Sequence, residues 1–162
     1  MPVRPILAYP DPRLRQAAAP VTAFDDALRS LAADLVDTLR DAQALGITAP
    51  HVGELMQLMV IKLDETSRAR IYVNPHIVSA SAETARHEEG SVSMPGLTEK
   101  LERPARIQVA YQDLQGERHT EEAEGLLAVC QQHEIDQLAG IFWIDRLSRL
   151  KRDRLLRRYS KR

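Results

Sequence analysis

The sequence predicts an α+β fold in which antiparallel strands pack around a central helix, with one further helix toward each end of the chain. Three observations carry this prediction. Three segments have apolar residues at helical spacing, and the middle of the chain holds short apolar runs bounded by turn residues. Those runs lie too close together for helical crossovers, which makes their pairing mostly antiparallel. At 162 residues and 44% hydrophobic composition, residues 1–162 are enough for one sizeable core and short for two, so a single domain is expected.

Prolines at 2, 5, 10, 12 and 20 keep the first twenty residues extended or turned, because each removes a backbone donor and biases its predecessor away from helix. The segment "FDDALRSLAADLVDTLRDAQALG" places Leu28, Leu31, Leu35, Val36 and Leu39 on one face, with Asp25 and Asp26 near the positive helix end and Gly46 just beyond. It predicts a helix over about 26 to 43. Strands are expected at 55–63, 70–74 and 106–113, the last entering a turn at Gly116 with a return strand near 117–121. From Glu122 to about Ala139 the pattern is helical again, stacking Leu126, Cys130, His133 and Gln137 on one face before Gly140. A last helix over roughly 146–158 carries Leu147, Leu150 and Leu155.

A formal net charge of −1 gives no global argument for nucleic acid, yet the end of the chain is lopsided. Between Arg146 and Arg162 stand nine Lys or Arg and one acid, Asp153. This segment reads either as a solvated helix face and tail or as a phosphate-contacting surface whose binding would be salt-sensitive. The single cysteine, Cys130, excludes an internal disulfide. The opening residues have no apolar stretch of signal-peptide type, and no segment approaches the roughly 18 apolar residues of a membrane span. A cytoplasmic setting with no membrane partner is expected.

The stretch "VCQQHEIDQLAG" begins like a metallohydrolase helix. In an H-E-x-x-H motif two imidazoles one turn apart hold a cation and the adjacent glutamate acts as general base. Here the motif is H-E-x-x-Q, with His133 and Glu134 present and Gln137 at the second ligand position. Alone, that is a weak signal.

Two other stretches change its weight. Ala44-Leu45-Gly46-Ile47-Thr48-Ala49-Pro50-His51, Glu89-Gly90-Ser91-Val92-Ser93 and Gln132-His133-Glu134-Ile135-Asp136-Gln137 together resemble, in order, the three motifs of peptide deformylases: G-x-G-h-A-A-x-Q (h apolar), E-G-C-L-S and Q-H-E-x-D-H. The resemblance extends to "PDPRL", "NPHIVSASAET", Arg103, "VAYQDLQG" and "GIFWIDRLSRLKR", and so spans nearly the whole chain. It implies a peptide deformylase-like α+β fold and a relation to enzymes that remove the N-formyl group from formyl-methionine of nascent bacterial proteins. It implies also a divalent metal (iron, nickel or zinc in the family) held by the cysteine of the second motif and both histidines of the third. The family's glutamate handles protons of the metal-bound water. The glutamine of the first motif and the backbone N–H after the cysteine, here that of Val92, stabilise the oxyanion.

Carried across residue by residue, only His133 and Glu134 keep their identity; Ser91 stands for the cysteine ligand, Gln137 for the second histidine and His51 for the oxyanion glutamine. A serine hydroxyl stays protonated where a thiolate would ligate, and an amide oxygen suits hard cations such as calcium. The expectation is therefore no metal, or a weakly bound divalent ion, with activity lost or strongly reduced. Several arrangements remain open: a polar hydrogen-bonded cluster of His51, Ser91 and Gln137; a rebuilt metal site using His51, His133 and Glu134 or Glu88; and metal-free hydrolysis with Ser91 as nucleophile and His51 or His133 as base. Gly46, Ile47 and Gly90 are the candidate substrate-binding residues, and Cys130 is expected to be core packing. The resemblance names formyl-Met peptide N-termini as ligands, and ribosomal RNA as a partner of the basic C-terminal segment 146–162.

Overall fold

The computed structural model describes residues 3–161. Helix α1, Asp26–Asp41, starts where the Asp25 side chain accepts from the Leu28 N–H, and its buried face carries Leu28, Leu31, Leu35 and Leu39. It ends at Asp41, just short of the predicted end near 43, where Gln43 adopts the left-handed conformation (φ 53°) that turns the chain. Strands follow as β1 Gly46–Thr48, β2 Leu58–Ile61, β3 Arg70–Ala80, β4 Thr84–Ser91, β5 Met94–Pro104, β6 Arg106–Gln112 and β7 Arg118–Glu124. Helix α2, Gly125–Leu138, and helix α3, Arg149–Ser160, close the chain.

All strand pairs are antiparallel. One sheet has the order β1-β2-β3-β6-β7, and β4 pairs with β5 as a separate hairpin. Asn74 sits at positive φ within β3, next to a register shift against β6, and its side-chain amide clamps the backbone of Val21 on both sides. The α1 face packs with Ile47, Leu58, Val60 and Val73 in one core cluster. A second cluster joins Met94, Leu97 and Leu101 of the hairpin to Phe142, Trp143 and Leu155.

The α+β arrangement around a central helix is as predicted, and four local differences have physical causes. The strand at 55–63 is the shorter β2, and β1 stands ahead of it as an edge strand of three residues. The hairpin β4–β5 was not expected at all, because its inward positions include Glu89 and Arg103 and show no apolar alternation. Helix α2 starts at Gly125, since residues 118–124 pair with β6. Helix α3 starts at Arg149 behind the Ser148 cap, the preceding Trp143–Arg146 forming a short 3-10 turn.

Candidate active site

Helix α2 is buried on nearly every side, and the polar residues Gln131, Gln132, His133, Glu134 and Gln137 are all at most 8% exposed. A helix that buries this many polar groups needs a partner for each of them. His133 Nδ1 lies 2.9 Å from Glu89 Oε1. Arg103 holds Glu89 from the other side, donating from Nε to Oε2 at 2.5 Å and from Nη2 to Oε1 at 2.9 Å. Arg103 Nη1 also donates to Asp136, which Arg146 grips in turn. The hairpin is thereby fastened to α2 by a buried chain of charges. As Glu89 is an ionised acceptor, the His133 ring donates from Nδ1 and turns Nε2 toward the cleft.

That cleft is a cavity of about 430 Å³ between the Ala44–Gly46 segment, the end of β4 and one face of α2. His51, Gly46, Gly90, Ser91, Val92, His133 and Glu134 all line it, as do Leu45, Glu88, Leu126 and Cys130. Two anticipated residues do not. Ile47 is fully buried in the α1 cluster, and Gln137 donates from Nε2 to the Leu14 carbonyl at 2.6 Å. Gly46 is required by close approach: a Cβ there would stand 2.5 Å from Glu134 Oε2.

The hydrogen-bonded cluster of His51, Ser91 and Gln137 is not what the structure contains. Ser91 Oγ accepts from the Ser93 N–H at 3.0 Å, Gln137 is tied to Leu14, and His51 faces Thr48. The Thr48 backbone N–H donates to His51 Nδ1 at 3.0 Å, with Thr48 Oγ1 at 2.9 Å from the same nitrogen. A backbone N–H can only donate, so Nδ1 carries the lone pair and the ring proton sits on Nε2. His51 Nε2 and Glu134 Oε1 are buried without a hydrogen-bond partner among the described residues. Each such group costs about 1–3 kcal/mol until a ligand or solvent satisfies it.

Burial drives the His51 imidazolium value down to about 3, with the charge of His133 adding to the effect, so the ring is neutral. Burial lifts the Glu134 carboxyl to about 7 against the pull of His133, with Glu89 adding to the lift. For His133, burial opposes the charged form, but Glu134 and the Glu89 hydrogen bond outweigh it and raise the value. Burial also opposes ionisation of Glu89, and here the hydrogen bonds from His133 and Arg103 win and lower it. The Cys130 thiol is pushed up to about 12 by burial and by the carboxylates of Glu134 and Glu89. Cys130 thus packs in the core, as expected, and also forms part of the cavity wall.

A glutamate-bearing helix beneath a cleft, packed against an antiparallel sheet, defines the class: a hydrolase scaffold of the H-E-x-x-H type. The comparisons make this specific. The model of the polypeptide deformylase family matches residues 3–153. A peptide deformylase-like protein of Brucella suis is 60% identical over 161 residues, covering 99% of this chain and 98% of that one. A protein of the same organism described as peptide deformylase is 44% identical over 164 residues, covering 99% and 94%. The crystal structure of a peptide deformylase from Legionella pneumophila superposes with a TM-score of 0.93 at 39% identity, covering 99% and 95%. This chain belongs to the peptide deformylase family.

Peptide deformylases use a divalent metal, and the residues here do not fit it. Of the family's three ligand positions only His133 offers an imidazole nitrogen. The Ser91 hydroxyl oxygen accepts from the Ser93 N–H, and Gln137, whose Nε2 donates to the Leu14 carbonyl, does not line the cavity. The rebuilt alternative is not assembled either. Among the described residues, the one trio of His, Cys, Asp or Glu ligand atoms within 4.8 Å of one another is Asp113, Glu117 and His119, at the β6–β7 turn. Sequence reasoning missed Thr48, Glu89 and Arg103 as organisers of the site. For Glu89 the signal was its place in the second motif; for Thr48 it was a hydroxyl where the first motif has alanine.

Proposed function

We propose that this protein is a non-catalytic member of the family that binds the N-termini of peptides, formyl-Met peptides foremost, without hydrolysing them. The observation that carries the proposal is the position of Gln137. At the second ligand site its amide is tied to Leu14, while the cavity between Ala44–Gly46 and Glu88–Val92 remains open. A peptide can enter that cleft as an added strand beside the β1 edge, past Gly46 and Gly90 in the cavity wall. In this reading His51, the Val92 backbone and Glu134 face the peptide's end, and His133 keeps its place without a metal. The coexistence in Brucella suis of a protein described as peptide deformylase with one described as peptide deformylase-like is consistent with a division of labour between turnover and binding.

The alternative, hydrolysis through a rearranged site, needs His51 or His133 as base or ligand for Ser91 or for water. His51 Nδ1 is occupied by Thr48, the His133 ring is held by Glu89, and among the described residues no hydrogen bond joins the Ser91 hydroxyl to either imidazole, so the nucleophile and base that this route needs are not paired. The setting proposed is cytoplasmic; no helix among the described residues is long and apolar enough to cross a membrane. Helix α3, with Arg149, Arg152, Arg154, Arg157 and Arg158 on it, is the proposed surface for ribosomal RNA, and its binding should fall steeply with salt.

The test is calorimetric titration of the purified protein with a formyl-Met-Ala-Ser peptide, followed by mass analysis of the recovered peptide. Saturable binding with the peptide intact is expected. Recovery of deformylated peptide would overturn the non-catalytic reading, and absence of binding would overturn the binding one.

A further inference from the structure

The cavity floor holds a substitution pair that the family resemblance does not account for. Thr48 stands where the first motif has its first alanine and His51 where it has its glutamine, and the two are in direct contact. The 3-10 turn Ala49–Val52 joins them: Thr48 caps it, Pro50 stiffens it, and the His51 N–H points back at the Thr48 hydroxyl. Thr48 is itself pinned in β1 opposite Met59. The imidazole therefore has little freedom to turn.

We propose that Thr48 is a positioning residue that holds His51 as a permanent Nε2–H donor, so that the cavity floor receives the neutral carbonyl oxygen of a bound formyl or acyl group and neither a proton nor a metal ion. The ligand half of this inference rests on the peptide-terminus reading above; the tautomer half does not. With the Thr48 N–H fixed on Nδ1, the ring's proton sits on Nε2; that N–H is buried and unpartnered among the described residues, and His51 is one of the residues that line the cavity.

Taking up a second proton, or ligating a cation through Nε2, would put a proton on Nδ1. That proton would face the Thr48 N–H, donor against donor, and would have as its acceptor only the Thr48 hydroxyl, which already receives the His51 N–H. An anionic ligand is disfavoured as well, because the carboxylates of Glu88, Glu89 and Glu134 outnumber the imidazole of His133 in the lining of the same cavity. What remains is an uncharged acceptor oxygen, and the carbonyl of a formamide is the smallest group that offers one beside an N–H of its own.

The experiment is side-chain NMR of the full chain labelled with 15N-histidine, near neutral pH, with His51 assigned by its loss in His51→Gln. A protonated Nε2 beside an unprotonated Nδ1 is expected; a protonated Nδ1 would overturn the lock. Thr48→Val deletes the hydroxyl and keeps the backbone N–H, and should speed solvent exchange of the His51 Nε2–H several-fold. Unchanged exchange would overturn the role given to the Thr48 side chain. Titration with N-methylformamide, which carries the carbonyl oxygen without a peptide, should move the Nε2–H resonance downfield, and absence of a shift would overturn the oxygen assignment. With the formyl-Met-Ala-Ser peptide, His51→Gln should bind within about threefold of the parent, because its amide still donates, whereas His51→Leu should bind about tenfold more weakly. Equal binding by His51→Leu would also refute the assignment. If the peptide fails to bind while the tautomer and the N-methylformamide shift are as expected, the peptide reading fails and the inference about His51 stands.

Discussion

Replacing Arg103 with Met tests how the site is held together. The Arg103 side chain is 7% exposed and that of Glu89 2%, and the guanidinium supplies two of the hydrogen bonds to Glu89 and one to Asp136. Arg103→Met keeps most of the volume and removes the charge, leaving Glu89 buried with His133 as its remaining side-chain partner. Breaking a buried pair by removing one member costs about 3–5 kcal/mol, because the other charge stays uncompensated. The remaining His133 contact places this case at the lower end, about 3 kcal/mol. For a chain of this size that is a fall in Tm of roughly 6–12 °C.

Urea and thermal unfolding of the parent, Arg103→Met, Glu89→Gln and the double variant would measure the effect. The double variant should be less destabilised than the sum of the singles, since the coupling between contacting residues is about 0.5–3 kcal/mol. The sign of the pH dependence follows from Glu89, whose value is held below 4.5 in the fold. Its contribution is present above the unfolded value and lost as pH falls through the folded one. The gap between the parent and Arg103→Met should therefore narrow in acid. A loss below about 1 kcal/mol, or strict additivity in the double variant, would refute the account of the hairpin as fastened to α2 by buried charge.

Three further outcomes are expected. Gly46→Ala should displace the Glu134 carboxylate, lower stability by about 1–3 kcal/mol and weaken peptide binding, with Gly46→Ala/Glu134→Ala regaining stability in thermal unfolding; a Gly46→Ala protein as stable as the parent would contradict the close approach. Cys130, with its thiol at about 12, should react with iodoacetamide at pH 8 about a thousandfold more slowly than a free thiol near 8.5, as followed by intact mass, and at the free rate in denaturant. The folded value of His51, about 3, lies below its unfolded 6.5, so the unfolded chain binds more protons in between and stability falls as pH drops through that window. His51→Gln should lack this component, giving a shallower acid slope in urea midpoints; identical slopes would contradict the neutral imidazole.

The strands and helices that periodicity announced are the ones whose burial alternates or recurs locally, such as Leu28 to Leu39 in α1 and Ile107 and Val109 in β6. The β4–β5 hairpin was not legible, because Glu89 and Arg103 occupy inward positions and become buried only by satisfying each other across fourteen residues. Motif order located the site, and the structure brings His51, Ser91, His133 and Glu134 to one cavity. The direction of side chains was beyond reach of the sequence. Gln137 turns away because the carbonyl of Leu14, more than a hundred residues earlier, accepts from its amide. Ile47 faces the core because β1 pairs with β2, a strand whose four residues are all buried.

The central proposal is that this member of the family keeps the cleft and binds peptide ends without the family's metal. Formate release from a formyl-Met peptide, measured for the parent beside Ser91→Cys/Gln137→His with iron, nickel or zinc supplied to both and metal per chain counted, tests it most directly. The account predicts no formate above background and no stoichiometric metal for the parent, with metal uptake by the double variant. About one metal per parent chain, with sustained formate release, would contradict it.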